Sequence, residues 1–376
     1  MYRDDTANIS PEQVRAMRIC AQHLHQKAPV DSLAAVVRSL GGVNAQSGPA
    51  MMLSLRARIK GLEPADVKRA MENRTLVRTW AMRGTIHLVD SNDLGWMVSL
   101  LGPFILAKGR RRRLELGLDD EKISRGLEVM GTILADEGPL TRDALTDALI
   151  EHGIGIERKT QAPYHLVAYA ALTGLVCIGP DTPEGEWTYG LVSEWTGKQK
   201  VLTGEEALAG LAIRYLQGYG PASPQDFSAW SGLPVADARK GWKLAVDREA
   251  LQEIRVGDRT LRSPKSLYQS LEKPAHGRKV VNLLPAFDTL VLGYADRKCL
   301  VPKRYMSEVY HGGQTVPVVL VDGIAAGVWR YERRGRKMNI MVSPFESFDD
   351  TTGELINEEA EDIGRFFGLP VSLAIG

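Results

Sequence analysis

The 376-residue sequence predicts an α+β protein in which helical units precede a region of short β-strands. Helix-start motifs recur before residue 280, and β-branched runs bounded by turn dipeptides dominate after it. Hydrophobic residues make up 44% and charged residues 25% of the chain, and 47 basic side chains nearly balance 46 acidic ones. These proportions exclude a disordered or supercharged chain, and the length predicts several domains.

The first 102 residues predict helices followed by a hairpin. Ser10 precedes Pro11, and Gln13 stands three residues later, which is the pattern of a capping box. Further helices are expected from Asp31 to the pair Gly41-Gly42, from Gly48-Pro49 to Gly61, and from Pro64. Residues 76–80 and 85–89 are then predicted strands around Met82-Arg83-Gly84. Helices followed by a hairpin are the order of a winged helix.

A repeated motif predicts two further units of this kind. Gly138-Pro139-Leu140-Thr141 matches Gly220-Pro221-Ala222-Ser223, and a second helix is expected after each, at about 160–172 and 234–246. Residues 175–178 and 187–192 predict another hairpin. We therefore predict three tandem winged-helix units, at residues 1–102, 103–200 and 201–277. The alternative is that Gly-Pro before a capping residue is only a common helix start.

The last unit, residues 278–376, is predicted to be a small antiparallel β-barrel with one helix. The expected strands are 280–284, 289–292, 316–321, 324–331 and 338–342. Asp322-Gly323 and Arg334-Gly335 are tight-turn dipeptides, so the last three runs predict a meander. A helix at about 354–367 would cover one side.

The cysteine spacing, the N-terminal residues and the short apolar runs predict a cytoplasmic protein. Cys20, Cys177 and Cys299 lie far apart without a CxxC pair, which argues against disulfides and a thiolate metal site. The first residues carry acid where a signal peptide carries base, and the longest apolar run, 166–178, is too short for a membrane span.

The charged residues are unevenly distributed along the chain. Five of the six residues from Lys108 to Arg113 are basic, and a second basic run occupies 330–337. In contrast, the charged residues between 346 and 362 are all acidic. Each run alone is most simply a solvated face. Together they favour an anionic partner, and DNA, RNA and a membrane surface all fit.

The common catalytic motifs are missing, but Asn44-Ala45-Gln46 between two glycine-containing turns is a candidate. Val43-Asn44-Ala45-Gln46, the stretch 78–88, and residues 284–288 with 292–297 resemble the bacterial AlkZ/YcaQ-type winged-helix DNA glycosylases. In that family tandem winged helices and a β-barrel form a concave DNA channel. The family motif is Gln, an aliphatic residue, then Gln or an acid. Gln46 matches the third position. At the first position this chain has Asn44, whose side chain is one methylene shorter than that of the family's glutamine. The alternative is that both carboxamides only satisfy backbone groups in a turn.

The resemblance implies a DNA glycosylase that removes cationic purines alkylated at N7 or N3, bulky adducts or crosslinks included, and leaves an abasic site. No lysine stands in the motif to form a Schiff base, so a monofunctional enzyme is expected. A monomer without cofactor or metal, acting on double-stranded DNA in the nucleoid, is expected. Two rival hypotheses are a non-catalytic DNA-binding regulator or lesion sensor, which the Asn44 departure favours, and an RNA-binding module, for which an RNP-type aromatic strand is missing.

Further residues are predicted to bind DNA or to shape the lesion pocket. Arg83 stands at a predicted hairpin tip, and His87 follows on the second strand, where packing is the alternative role. Asp288 and Arg297 are expected to form either a structural pair or part of the pocket. The predicted DNA contacts are Arg56, Arg58, Arg83, His87, Arg110, Arg111, Arg112, Arg113, Arg333 and Arg334.

Overall fold

The computed structural model describes residues 6–196, 201–272 and 279–376, which form a mixed helix-and-sheet fold. The first part of the chain contains β1 (Ala7–Asn8), α1 (Pro11–Ala21), α2 (Leu33–Ser39), β2 (Val43–Asn44), α3 (Gly48–Arg56), α4 (Pro64–Glu72), β3 (Leu76–Trp80), β4 (Ile86–Asp90) and α5 (Ser91–Glu115). The predicted capping box is confirmed: the Gln13 amide N–H donates to Ser10 Oγ, and the Ser10 N–H donates to Gln13 Oε1. A 3-10 turn over Val30–Ser32 precedes α2, and α3 ends before the predicted Gly61.

The second and third parts repeat the order of helices followed by a hairpin. They contain α6 (Asp120–Glu137), β5 (Leu140–Thr141), α7 (Arg142–Glu151), α8 (Ala162–Leu172), β6 (Val176–Asp181), β7 (Trp187–Leu191), α9 (Val192–Trp195), α10 (Gly204–Tyr219), α11 (Pro224–Ser231), α12 (Val235–Arg248), β8 (Leu251–Val256), β9 (Arg259–Pro264) and α13 (Lys265–Gln269). Thr141 and Ser223 cap α7 and α11 as predicted. The β8–β9 hairpin was not predicted, and β1 adds to it as a parallel strand.

The first two hairpins belong to one sheet. Its strand order is β2-β4-β3-β6-β7-β5, and the two hairpins meet where Arg78 of β3 pairs with Ile178 of β6. Helix α5 runs unbroken across the predicted boundary after residue 102. At Gly102 it touches the end of α8 so closely that a Cβ atom would lie 2.1 Å from the Leu172 carbonyl oxygen. The predicted domain boundary after residue 200 lies at the end of the segment 197–200, and the one after residue 277 lies within the segment 273–278. Both segments are outside the described residues.

The C-terminal part contains β10 (Val281–Leu284), α14 (Met306–Val309), β11 (Tyr310–His311), β12 (Gln314–Thr315), β13 (Val318–Val321), β14 (Ile324–Arg334), β15 (Lys337–Pro344), α15 (Asp350–Phe367) and β16 (Val371–Ile375). The predicted meander is confirmed as β13-β14-β15. The predicted barrel is wrong, because in the described part of the chain β10 and β16 are the two edges of an open five-stranded sheet. Helix α15 covers one face of this sheet through Ile356, Ala360 and Ile363.

The strand expected at 289–292 is a turn, and the buried Asp288 side chain explains why. Asp288 Oδ1 accepts the Leu290 amide N–H at 2.9 Å, which bends the backbone there. Both oxygens of Asp288 also accept from the Arg58 guanidinium at 2.8 Å, and Asp288 Oδ2 accepts from the Ser54 hydroxyl at 2.7 Å. Arg58 further donates to Gln22 and Thr289. We call these five residues, Gln22, Ser54, Arg58, Asp288 and Thr289, the Arg58–Asp288 cluster.

A second buried guanidinium joins α3 to α15. Arg56 donates to Glu359 at 2.9 Å and to Asp362 at 3.0 Å, and Lys27 binds the same two carboxylates. Burial opposes ionisation of Glu359, but the charges of Arg56 and Lys27 outweigh it and lower the pKa of this carboxyl group. The C-terminal acidic run therefore holds the helix in place instead of forming a purely solvated face.

Replacing Asp288 by asparagine should destabilise the fold strongly. The variant Asp288→Asn leaves the Arg58 charge buried without a counter-ion, and we expect the free energy of unfolding to fall by about 3–5 kcal/mol. Urea unfolding followed by circular dichroism measures this change. The matched control is Glu332→Gln, which removes the partner of Arg334 in an exposed pair and should change stability by less than about 1 kcal/mol. Equal effects of the two substitutions would contradict a structural role for the Arg58–Asp288 cluster.

Candidate active site

Two glycines bring the candidate motif against the first hairpin. Gly41 and Gly42 end α2 with φ of +65° and +114°. A Cβ atom on Gly42 would lie 3.1 Å from the Leu88 carbonyl oxygen, so glycine allows the chain to pass close to β4. Strand β2 then pairs with β4, and Ser47 caps α3 by accepting the Ala50 amide N–H. The motif thus occupies a strand-to-helix junction at the edge of the sheet.

The two carboxamides of the motif bind each other. Asn44 Nδ2 donates to Gln46 Oε1 at 3.1 Å, and Asn44 Oδ1 accepts the Gln46 amide N–H at 3.2 Å. Asn44 is buried, whereas Gln46 is exposed, and Ala45 between them points into the core. The turn-stabilising role considered for Asn44 is therefore present. The exposed Gln46 carboxamide retains its Nε2 hydrogens and one Oε1 lone pair for a ligand.

A row of polar side chains continues from Asn44 across the sheet. Asn44 pairs with His87, and His87 pairs with Thr79 on β3, so all three side chains lie on one face. The Ala45 amide N–H donates to the Ile86 carbonyl at 2.8 Å, which makes Asn44 and His87 a non-hydrogen-bonded pair, the kind with the closer side chains. Thr79 Oγ1 is buried and has no hydrogen-bond partner among the described residues.

His87 is a neutral imidazole with a defined tautomer. Its Nδ1 lies 2.9 Å from the Thr85 carbonyl oxygen, which can only accept, so Nδ1 carries the hydrogen and Nε2 is the free acceptor. Burial and then the positive charge of Arg83 lower the pKa of His87 to about 3, although the Thr85 carbonyl acts in the opposite direction. His87 is only 2% exposed, so the packed role considered for it is present, and direct contact with a phosphate is disfavoured.

Arg83 sits at the hairpin turn as predicted, but its side chain points into the protein. Its φ is +58°, and Nη1 donates to the Trp230 carbonyl oxygen at 2.6 Å, at the end of α11. Lys108 donates to the Gly232 carbonyl at 3.0 Å, so two cations bind the C-terminal end of one helix. Burial lowers the pKa of Arg83, and the nearby charge of Arg297 lowers it further.

Three other predicted DNA contacts are buried. Arg56 and Arg58 are both 0% exposed and bind carboxylates, so neither offers surface to a phosphate. Arg113 is also buried, donates to the Leu106 carbonyl and lies over the Tyr169 ring at 5.0 Å. The guanidinium groups of these three residues bind other groups of the protein, so they have structural roles and not the predicted role in DNA contact.

The remaining arginines of the first basic run are exposed on α5. Arg110 binds Asp120, and Arg111 and Arg112 bind Glu115, in solvent-accessible pairs that are easily exchanged for phosphates. Arg112 also donates to Gln161 at the start of α8. Beside it opens a cleft of about 360 Å³ lined in part by Arg142, Arg158, Tyr164 and His165.

The predicted residues of the C-terminal part lie in two places. Arg333 and Arg334 are exposed at the β14–β15 turn. Asp288 has a structural role, but its partner is Arg58 and not Arg297. Arg297 is half-buried over the Tyr310 ring at 4.1 Å, near enough to Arg83 for its charge to act there.

Two residues near the site were missed in the sequence. Thr79 could have been found from the hairpin register, which pairs it with His87. Trp230 gave no local signal, because it approaches Arg83 only through the tertiary packing of α11. Among the described residues no group of three metal-ligating side chains occurs, and no helix there is long and apolar enough to span a membrane.

Comparison with known proteins links this geometry to DNA repair enzymes. A family model described as "DNA glycosylase AlkZ-like" matches residues 37–366. An interstrand DNA cross-link repair glycosylase of Streptomyces sahachiroi is 27% identical in an alignment of 377 residues. The alignment covers 96% of this chain and 98% of that protein. The solved structure of Streptomyces sahachiroi DNA glycosylase AlkZ is similar with a TM-score of 0.78 at 26% identity, over 98% of this chain and 100% of that one. The matched segment includes the motif, the hairpin and α5.

His87 should make the protein sensitive to acid. Its folded-state pKa of about 3 lies below the ordinary value of 6.5, so between these values the unfolded chain binds more protons. The contribution of His87 to stability is complete above pH 6.5 and is lost as the pH falls towards 3, by up to about 1.4 kcal/mol per pH unit. We expect His87→Asn to show a smaller loss of stability between pH 7 and pH 5 than the wild type in urea titrations.

The control for this experiment is His152→Asn. His152 also has its Nδ1 bonded to a backbone carbonyl, that of Ala148 at 2.8 Å, but it is exposed. It should retain the wild-type pH dependence. An unchanged slope in His87→Asn would show that His87 is not held neutral by the fold.

Proposed function

This chain belongs to the AlkZ-like family of DNA glycosylases, and from that membership we propose that it hydrolyses the N-glycosidic bond of cationic purines alkylated at N7 or N3. The reaction leaves an abasic site. The observation that carries the proposal is the uncharged pair Asn44–Gln46 at the junction between β2 and α3, where the Gln46 side chain is exposed.

An uncharged motif suits a substrate that is already activated. A purine alkylated at N7 or N3 carries a positive charge and leaves as a neutral base, so it needs no general acid. The remaining tasks are to position water and to stabilise an oxocarbenium-like sugar. The oxygen of a carboxamide can accept a hydrogen bond from the water or face the positive sugar, with only moderate strength. Such a site would act on cationic lesions and leave ordinary bases intact.

The absence of an amine from the motif supports a monofunctional enzyme. A lyase step needs a nucleophilic amine that forms a Schiff base with the sugar. Asn44, Gln46 and the cross-strand neighbours His87 and Thr79 supply none. We therefore propose hydrolysis only.

Crosslinks and bulky adducts are included in the proposed substrate range. The relative from Streptomyces sahachiroi is named for the repair of interstrand cross-links, and this chain is similar to it along almost its whole length. Gln46 is exposed instead of being enclosed in a narrow cavity, which is compatible with a large lesion. The proposed partner is double-stranded DNA, bound by a monomer in a concave channel formed by three winged-helix units and the C-terminal sheet.

A second candidate function is that of a lesion sensor without catalysis. The hydrogen bond from the Gln46 amide N–H to Asn44 Oδ1 favours it, because a turn-stabilising residue need not take part in chemistry. Membership of a glycosylase family favours the enzyme. Incubating the protein with DNA that contains 7-methylguanine or a bulky N7 adduct, and detecting the free base by mass spectrometry, distinguishes the two functions.

Gln46→Ala should abolish base release and leave DNA binding largely intact. The exposed carboxamide contributes to the reaction, whereas affinity for DNA comes mainly from phosphate contacts. Single-turnover release of both bases and the Kd for lesion DNA measure the two effects, with melting temperatures recorded alongside. Full activity of the variant on every accepted lesion would contradict the assignment of the motif. Equal losses of binding and release would indicate a folding defect.

Replacing the three exposed arginines of α5 by alanine should weaken binding to damaged and undamaged DNA alike. Each lost phosphate contact reduces the slope of log Kobs against log salt by about 0.9. We expect a visibly flatter salt dependence for the variant Arg110→Ala, Arg111→Ala, Arg112→Ala in fluorescence anisotropy titrations. The control is Lys240→Ala, which removes an exposed cation on α12. A slope equal to that of the wild type would place the arginines outside the DNA path.

A further inference from the structure

Hydrolysis at this site needs a proton acceptor that the motif does not contain. When the purine leaves, the bond between N9 and C1′ breaks and its electron pair neutralises the cationic base. The water oxygen then forms the new bond to C1′, and one proton must leave that water. Amide groups do not take up protons near neutral pH, so neither Asn44 nor Gln46 can hold it.

The carboxylates around the hairpin are already engaged. Asp90 at the end of β4 binds Arg38 of α2 at 2.6 Å, and Asp93 of α5 binds Arg214 of α10 at 3.1 Å. Asp288 is enclosed in the Arg58–Asp288 cluster. Each of these three carboxylates is already bound by a guanidinium, so none of them is free to bind the attacking water.

We propose that the Nε2 atom of His87 accepts the proton of the attacking water. His87 is the cross-strand neighbour of Asn44, on the same face of the sheet, and its tautomer is fixed by the bond from Nδ1 to the Thr85 carbonyl. Nε2 makes no hydrogen bond within the described residues, so it is available as an acceptor. The proton then passes to solvent. This inference rests on the proposed glycosylase function and assigns a further catalytic residue to it.

The surroundings of His87 fit an acceptor that must release its proton again. Arg83 provides the positive charge that acts on the ring, while Arg38 and Arg214 are neutralised by their partners. A protonated imidazole beside Arg83 is disfavoured, yet a water bonded to a sugar carbon is a far stronger acid than an imidazolium, so the transfer is still downhill. Thr79, the cross-strand neighbour of His87 on β3, carries a buried hydroxyl without a hydrogen-bond partner among the described residues.

The test compares His87→Asn and His87→Ala with the wild type in single-turnover base release from 7-methylguanine DNA. Asparagine keeps a donor near the position of Nδ1 and removes Nε2. We expect both variants to release base at least about 100-fold more slowly, with the Kd for lesion DNA within a factor of about two of the wild type. His152→Asn is the matched control and should be unaffected. Release at the wild-type rate by both His87 variants would overturn the inference.

Chemical rescue separates proton transfer from space filling. Imidazole and 1,2,4-triazole have nearly the same shape, but triazole is the weaker base. If His87 accepts a proton, imidazole should restore activity to His87→Ala much better than triazole does. Equal rescue by both compounds would mean that the ring only fills space and would overturn the inference. Absence of base release by the wild type would instead refute the proposed function, so the two failures are distinguishable.

Discussion

The bidentate ion pair between Arg58 and Asp288 is the interaction on which the positions of the other parts depend. Both side chains are fully buried, and their remaining hydrogen-bonding groups are largely used by Gln22, Ser54 and Thr289, which is the condition for such a pair to be tolerated in a core. Arg58 lies two residues after the end of α3, and Gln46 immediately precedes Ser47, the N-cap of α3. One buried pair thereby fixes the candidate catalytic helix against a loop more than two hundred residues away in the sequence.

The chemistry that we propose near the N-terminal end of α3 depends on weak groups held in defined positions. Asn44 and Gln46 bind each other, and His87 is uncharged, so the site carries no strong acid or base. A site of this kind can accelerate a reaction only where the leaving group is already good, since a stronger bond would need protonation by an acid that is missing. In the proposed reaction, the weakness of these groups would exclude normal nucleotides, whose bases are poor leaving groups.

Local features were predictable, and distant partners were not. The capping box of Ser10, the glycine pair after α2 and the β13-β14-β15 meander depend on neighbouring residues, and all were predicted from them. The role of Arg58 depends on Asp288, which no local pattern links to it. Asp288 also accepts the Leu290 amide N–H, at the point where the predicted strand is a turn. Whether the C-terminal sheet is open or closed depends on whether its edge strands, β10 and β16, pair with each other. Turn dipeptides do not determine that pairing. Asn44 and Gln46 were located through a motif, but their mutual hydrogen bond required the structure.

The continuous α5 and the shared sheet have a consequence for how a duplex is accommodated. A helix of 25 residues that runs from the first part of the chain into the second, together with strands paired between them, leaves no hinge at that point. In the proposed complex, a duplex that does not already match the arrangement of these two parts would have to bend to fit them. Smooth bending of a short duplex requires on the order of 1–6 kcal/mol, and this energy depends on how stiff the local sequence is. A damaged or cross-linked site whose stiffness differs from that of normal DNA would be distinguished mechanically, before any atom of the altered base is contacted.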